Sequence, residues 1–86
     1  MSVSDTIKQI LVSHVYVEVP VDQMGEQDSL RDVFGVDSIG FVELRVQLEE
    51  AFEVTISDEE FTPENFATVA AATALVEKLL AAPAAA

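Results

Sequence analysis

The sequence predicts a small all-α domain, a bundle of three longer helices and one short helix with a long loop between the first two longer helices. Apolar residues recur at helical spacing in three segments, and the one segment that resembles a strand has no second candidate to pair with it. Half of the 86 residues are hydrophobic, and three glycines and three prolines do not indicate disorder. We expect residues 1–82 to form one domain and residues 83–86 to form a flexible tail.

The composition excludes several kinds of site. The absence of cysteine excludes disulfides, thiolate metal sites and a cysteine nucleophile, and the single histidine, His14, excludes a multi-histidine metal site. The N-terminus lacks the basic start and apolar run of a signal peptide, and no segment is long and apolar enough to span a membrane. These features predict a cytoplasmic protein with no membrane contact, and we expect a monomer.

The negative charge is concentrated in the middle of the chain. The net charge is −12, and residues 18–64 hold 14 acidic and 2 basic residues. Nucleic acid is excluded as a partner because phosphate binding requires positive charge. Two interpretations remain open: a solubilising surface, or electrostatic steering toward enzymes with basic surfaces.

The first helix is predicted to begin near Ser2 or Ser4, either of which can cap it. Pro20 ends it by residue 19 at the latest, and the β-branched run over residues 15–19 weakens its last part. A strand over residues 15–19 is the competing prediction. The apolar stripe of this helix consists of Val3, Ile7, Ile10 and Leu11.

The connection over residues 21–36 is long for so small a domain, which indicates either a function or an unrecognised element. Residues 28–34 are compatible with a helical turn. Apolar side chains should hold this connection against the helices; they are Met24, Leu30, Val33 and Phe34.

The second helix is predicted to run from Ser38 to Phe52 and has two apolar strips. At 100° per residue, one compact strip consists of Phe41, Leu44, Leu48 and Phe52 and should face the core. The strip on the opposite side consists of Ile39, Val42 and Val46, with Glu43, Glu49, Glu50 and Glu53 around it. This second strip either packs under the long connection or forms a docking patch with an acidic rim.

Two capping patterns follow the second helix. Ser57 and Glu60 have capping-box spacing, and Thr62 followed by Pro63 can start a further turn. We therefore expect a short helix or two stacked turns over residues 58–66, with phenylalanines filling the core.

Thr68 can cap a last helix over residues 69–80, in which alanines favour helix formation and close packing. Pro83 should stop that helix.

Ser38 is the leading candidate for a functional residue. Gly35 precedes it and supplies a flexible approach, and Ser38 opens the second helix. An anionic group on the Ser38 oxygen would face the positive end of the helix dipole and its free N–H groups. A covalently attached phosphate would be well tolerated there.

The residues around Ser38 resemble the acyl carrier proteins. The resemblance rests on Asp37–Ser38–Ile39, then Val42–Glu43–Leu44, then Leu48 to Phe52, and it extends in register from residue 30 to residue 79. It implies that the chain is not an enzyme, and that Ser38 carries 4′-phosphopantetheine, whose thiol holds an acyl group as a thioester.

The resemblance also implies partners. A phosphopantetheinyl transferase, with magnesium and coenzyme A, would attach the arm; acyltransferases or ligases, ketosynthases and other acyl-processing enzymes with basic docking patches would then use it. The residues that partners would contact are Asp37, Ile39, Val42, Glu43, Val46, Glu49 and Glu50.

The chain departs from the fatty-acid carriers at three places. Gly40 stands where many have an acidic residue, Arg45 interrupts the acidic face, and residues 61–69 form a longer link. The longer link resembles discrete carriers of polyketide and other secondary-metabolite pathways. Fatty-acid synthesis and aminoacyl or peptidyl carriage stay open as alternatives.

Two hypotheses outside the carrier class remain. An enzyme with Ser38 as nucleophile needs a base, and nothing in the sequence places the single histidine, His14, near Ser38. An unmodified acidic helical adaptor, with Ser38 as a mere helix cap, is the second hypothesis.

Overall fold

A computed structural model of the chain describes residues 2–81. It contains α1 (Val3–Ser13), a 3₁₀ helix (Val21–Gln23), α2 (Ser38–Phe52) and α3 (Val69–Ala81), and these described residues include no strand. The predicted all-helical class is therefore confirmed. None of the described helices is long and apolar enough to cross a membrane. The tail predicted over residues 83–86 lies outside the described residues.

The first helix begins as predicted but ends earlier than its predicted limit. The Ser2 hydroxyl accepts a hydrogen bond from the Asp5 backbone N–H at 3.1 Å, which makes Ser2 the N-cap. The helix ends at Ser13, and the backbone turns at Tyr16, whose φ is 64°. The β-branched run that follows Ser13 disfavours helix, as its side chains crowd the preceding turn.

Residues 15–19 form an irregular segment that packs on the bundle without pairing as a strand. Their side chains alternate, with Val15, Val17 and Val19 turned inward and Tyr16 and Glu18 exposed. The segment has the alternation of a strand but no neighbouring strand among the described residues, so the competing strand prediction is wrong. The end of α1 at Ser13 lies within the limit that Pro20 sets.

The long connection is held to the bundle by buried side chains and backbone hydrogen bonds. Met24, Leu30 and Phe34 are buried as predicted, whereas Val33 is 55% exposed, so its predicted anchoring role is wrong. The Leu30 N–H donates to the Ala67 carbonyl at 3.0 Å, which joins the connection to the chain just before α3. The helical turn predicted within residues 28–34 is present, closed by the Val33 and Phe34 N–H groups on the Ser29 carbonyl.

Glu26 ties the connection to α1 and α3. Its carboxylate accepts a hydrogen bond from the Ser4 hydroxyl and pairs with Lys8 at 3.2 Å, and its carbonyl accepts from the Ala70 N–H at 2.9 Å. The hydrogen bonds from Ser4 and then Lys8 hold the pKa of Glu26 below its ordinary value.

The link between α2 and α3 contains two turns rather than a short helix, so the second of the two alternatives predicted for residues 58–66 is the one found. The short helix of the bundle is Val21–Gln23, which lies in the long connection. Ser57 and Glu60 form a reciprocal capping box. The Glu60 N–H donates a hydrogen bond to the Ser57 hydroxyl at 3.2 Å, and the Ser57 N–H donates one to the Glu60 carboxylate at 3.1 Å. These contacts lower the pKa of Glu60. The Thr62 hydroxyl caps the next turn by accepting from the Asn65 N–H.

One core joins all these segments. In the predicted core strip of α2, Leu44 and Leu48 are fully buried, whereas Phe41 and Phe52 are partly buried against the core. Val69 of α3 is fully buried. The Thr68 hydroxyl caps α3, as predicted, by accepting from the Ala71 N–H at 3.0 Å. The remaining largest fully buried side chains are Phe66, Ile7, Leu11, Leu30, Ile56 and Val76.

Candidate functional site

Ser38 is the first residue of α2, and it is exposed. The residue before it, Asp37, is the N-cap: its carboxylate accepts the Gly40 N–H at 2.8 Å. Gly35 has a φ of 73°, a left-handed conformation that glycine adopts at no steric cost. The chain therefore uses the conformational freedom of this glycine just before α2. The Ser38 hydroxyl therefore lies at the positive end of the helix dipole while another side chain supplies the cap.

An open cleft of about 460 Å³ lies beside Ser38. Its apolar lining includes Phe41, Phe61 and Phe66, of which the last two pack edge to face with their ring centroids 5.0 Å apart. Polar groups, among them Arg31, also line the cleft. This arrangement offers an extended, mainly apolar group attached at Ser38 a surface between α2 and the two turns.

The second apolar strip of α2 faces solvent. Ile39 is 80% exposed, Val42 52% and Val46 39%, so the interpretation that the strip packs under the long connection is wrong. Glu50 is exposed beside it and Glu43 is half-buried, with one carboxylate oxygen accepting from the Gln47 side chain at 2.8 Å. An exposed apolar strip with an acidic border has the anatomy of a transient interface.

Glu49 makes an intramolecular contact that the sequence did not indicate. It is half-buried, and its carboxylate accepts a hydrogen bond from the Ile56 backbone N–H at 2.8 Å. Glu49, one of the seven residues predicted to contact partners, therefore also holds in place the chain that leaves α2.

Arg45 does not interrupt the acidic face, contrary to the sequence-based expectation. Its guanidinium pairs with Asp58 at 3.0 Å, donates to the Ile56 carbonyl and lies 5.0 Å from the centroid of the Phe61 ring. The side chain is therefore directed toward the link that follows α2.

Packing explains why a glycine occupies position 40. A side chain there would bring its Cβ to 3.0 Å from a methyl group of Val36 and 3.1 Å from one of Val15. Any larger residue at this position would require Val36 and Val15 to shift by a few tenths of an ångström.

A second open depression, of about 430 Å³, lies on the other flank of the start of α2. His14, Tyr16, Asp37, Ile39 and Glu43 are among its lining residues. His14 therefore lines a different depression from the cleft of Ser38, which gives no support to a serine nucleophile activated by this histidine. In residues 2–81, no three acidic or histidine side chains are placed to hold a metal ion together.

Comparison with known proteins identifies a family. Residues 5–76 match the family model described as "Phosphopantetheine attachment site". The chain is also 36% identical over 69 residues to the acyl carrier protein of Wolinella succinogenes, a match that covers 80% of this chain and 86% of that protein.

Solved structures show the same fold. The chain matches a holo acyl carrier protein from Nitrosomonas europaea with a TM-score of 0.84, at 22% identity, over 95% of this chain and all of the other. It also matches, with a TM-score of 0.79 and 28% identity, over 88% of this chain and 97% of the other, a chain in a complex. That complex is an engineered Bradyrhizobium japonicum glycine:[carrier protein] ligase with a carrier protein from Agrobacterium tumefaciens and ATP.

Proposed function

The chain belongs to the family of phosphopantetheine-bearing acyl carrier proteins, which are non-catalytic carriers, and we propose that Ser38 is its attachment residue. The observation that carries this proposal is the exposed Ser38 hydroxyl on the first residue of α2, with Asp37 making the capping bond in its place. A phosphodiester formed on Ser38 would meet the positive end of the helix without disturbing the cap.

The residues around Ser38 fit a long, flexible prosthetic group. When attached, 4′-phosphopantetheine supplies a terminal thiol that holds an acyl group as a thioester. The cleft beside Ser38 gives apolar parts of the arm or cargo a surface formed mainly by Phe41 and Phe61. The exposure of Ser38 leaves its oxygen accessible to another enzyme.

The exposed face of α2 is the proposed docking face for partner enzymes. Ile39, Val42 and Val46 would supply apolar contacts, and the carboxylates of Asp37, Glu43 and Glu50 would orient partners that carry basic patches. We retain Glu49 at the edge of this face, although its contact with Ile56 gives it a structural role as well. The partners are a phosphopantetheinyl transferase and acyl-processing enzymes such as acyltransferases, ligases and ketosynthases.

For the cargo, we propose acyl intermediates of a polyketide or related secondary-metabolite pathway, with fatty-acid synthesis as the nearest alternative. The support is the long link over residues 61–69, which begins in a packed aromatic pair, Phe61 and Phe66, at the cleft. A link of this length resembles the links of discrete carriers in secondary-metabolite pathways.

Aminoacyl carriage is the second candidate function. It is favoured by the structural similarity to chains in complexes of glycine:[carrier protein] ligase, one of which is described with a glycylated carrier protein and matches with a TM-score of 0.68 at 27% identity. A small polar cargo of this kind would gain little from the apolar cleft.

Intact mass measurement tests the attachment. The unmodified protein is incubated with a broad-specificity phosphopantetheinyl transferase, magnesium and coenzyme A, beside a Ser38→Ala variant and a carrier known to be modified. We expect the mass of one phosphopantetheine to be added to the parent alone. A folded parent that gains no mass while the known carrier is modified would favour the unmodified adaptor instead.

Loading trials on the holo protein then test the cargo. A malonyl-transferring acyltransferase and a glycine:[carrier protein] ligase with ATP are compared on the same preparation by the mass that each adds. Malonyl loading with no glycyl loading supports the polyketide or fatty-acid proposal, and the opposite result supports aminoacyl carriage. Ketosynthase reactions with polyketide and fatty-acid enzymes would then separate the first two.

A further inference from the structure

The two most exposed large apolar side chains of the described residues line the same depression. Tyr16 is 82% exposed and Ile39 80%, and both line the depression of about 430 Å³ beside the start of α2. They lie 23 positions apart in the sequence, so the fold brings them together. The depression is continuous with the proposed docking face, because Asp37, Ile39 and Glu43 belong to both.

Tyr16 is held outward by its neighbours. Val15 packs close to Gly40, and Val17 is buried, with its N–H on the Leu11 carbonyl at 3.0 Å. Between these anchored residues, Tyr16 has a φ of 64°, a left-handed conformation that is unfavourable for a residue with a side chain. An exposed ring gains little from the core in return, so packing does not account for a tyrosine at this position.

The chemistry of the depression favours a positively charged, planar partner group. The carboxylates of Asp37 and Glu43 line it, as do the aromatic ring of Tyr16 and the apolar side chain of Ile39. An arginine guanidinium pairs with carboxylates and stacks on aromatic rings, whereas an anionic group would be repelled. The chain itself has only four lysines and arginines, none of which lines this depression.

The position of the depression identifies which enzyme would use it. In the attachment step, the Ser38 oxygen forms a bond to the phosphorus that bears pantetheine in coenzyme A, the bond from that phosphorus to 3′,5′-adenosine bisphosphate breaks, and the serine proton is released. The enzyme must therefore bring its active site to Ser38 itself and cover the residues on both sides, Asp37 and Ile39. Enzymes that act on the thiol at the far end of the arm use the same docking face, but only the transferase must reach the Ser38 oxygen itself.

We propose that Tyr16 extends the docking face and contacts an arginine-bearing basic patch of the phosphopantetheinyl transferase. This proposal rests on the proposed function, because it requires Ser38 to be the attachment residue. It adds a contact outside α2, supplied by the segment that follows α1 and fits against Gly40.

Steady-state kinetics of modification test the proposal, with parent and variants as substrates of one transferase at saturating coenzyme A and magnesium. Tyr16→Asn removes the ring but tolerates the left-handed backbone, and Tyr16→Phe keeps the ring. We expect Tyr16→Asn to raise KM by about three- to tenfold with kcat unchanged, the loss of a cation–aromatic contact. Tyr16→Phe should retain a KM close to that of the parent.

A matched control replaces an exposed apolar residue on the last turns of α3, Leu80→Asn, which should leave KM unchanged. Tyr16→Gly, which suits a positive φ, replaces Tyr16→Asn if circular dichroism shows that the latter does not fold. An unchanged KM without the ring, an equal rise in Leu80→Asn, or an effect on kcat alone would overturn the proposal. If the folded parent is not modified at all, both the attachment at Ser38 and the Tyr16 contact are refuted. If the variant without the ring is modified as well as the parent, only the Tyr16 contact is refuted.

Discussion

The two sides of α2 carry similar apolar residues in opposite environments. Leu44 and Leu48 are fully buried, whereas Ile39 is 80% exposed and Val42 52% exposed in the same helix. Complete exposure of such a side chain forgoes about 1.5–3 kcal/mol relative to full burial, and half exposure forgoes less. The comparison shows that one side of α2 stabilises the fold, while the other presents apolar surface whose proposed use is recognition.

The carboxylates of α2 differ in the same way. Glu49 accepts the Ile56 N–H and so completes the chain reversal after the helix, whereas its neighbour Glu50 is exposed. An acidic residue next to a docking strip can therefore serve the fold, and its position in the sequence alone does not separate the two roles.

The largest expected effect is on the buried side. Leu48→Ala should lower the free energy of unfolding by about 2–5 kcal/mol, because it removes a fully buried side chain and leaves a cavity. Urea denaturation followed by circular dichroism measures this change. A loss below about 0.5 kcal/mol, the range of ordinary surface substitutions, would contradict the burial of Leu48.

On the exposed side, Ile39→Ala should change the free energy of unfolding by less than about 0.5 kcal/mol, since an exposed side chain loses few contacts. The same urea experiment, run beside Leu48→Ala, gives the comparison directly. Two equal losses would remove the distinction between the sides. The variant should still raise the KM of the transferase, because Ile39 lies on the proposed docking face.

The pair Glu49 and Glu50 tests whether the distinction extends to carboxylates. Glu49→Ala should cost about 1 kcal/mol through the lost hydrogen bond to Ile56, and Glu50→Ala should cost almost nothing. Thermal unfolding at pH 7 compares the two variants. A larger loss in Glu50→Ala than in Glu49→Ala would reverse our assignment.

The smallest expected effect is electrostatic. Glu43→Gln keeps an oxygen for the contact with Gln47 but removes a charge from the docking face, so affinity for a partner with a basic patch should fall by about two- to fivefold at low salt. Binding of the Ser38→Ala protein to the transferase, measured at increasing salt, checks this. The difference from the matching protein with Glu43 intact should shrink as the screening length falls toward about 3 Å near 1 M salt. A difference that does not depend on salt would count against steering by charge.

Most of the helical architecture could be predicted because its signals are local. The bounds of α2, the caps Ser2 and Thr68 and the box formed by Ser57 and Glu60 follow from side chains that bond to nearby backbone groups. The exposed position of Ser38 likewise follows from its place at the start of an amphipathic helix.

The rest depended on contacts between distant segments. The outward Tyr16 and the close approach of Val15 to Gly40 depend on packing between residues far apart in the sequence. Helical spacing placed Glu49 among the exposed carboxylates, but it could not show that the chain returns to bring the Ile56 N–H to it. Local patterns do not contain this information.

One measurement tests the central claim that α2 stabilises with one side and is recognised with the other. A ¹⁵N-labelled Ser38→Ala protein, which prevents turnover, is titrated with the transferase and coenzyme A while backbone NMR signals are followed. We expect the signals of Ile39, Val42, Glu43 and Val46 to shift or broaden first, with little change along α3. Changes centred on α3, with the exposed side of α2 unaffected, would contradict the account.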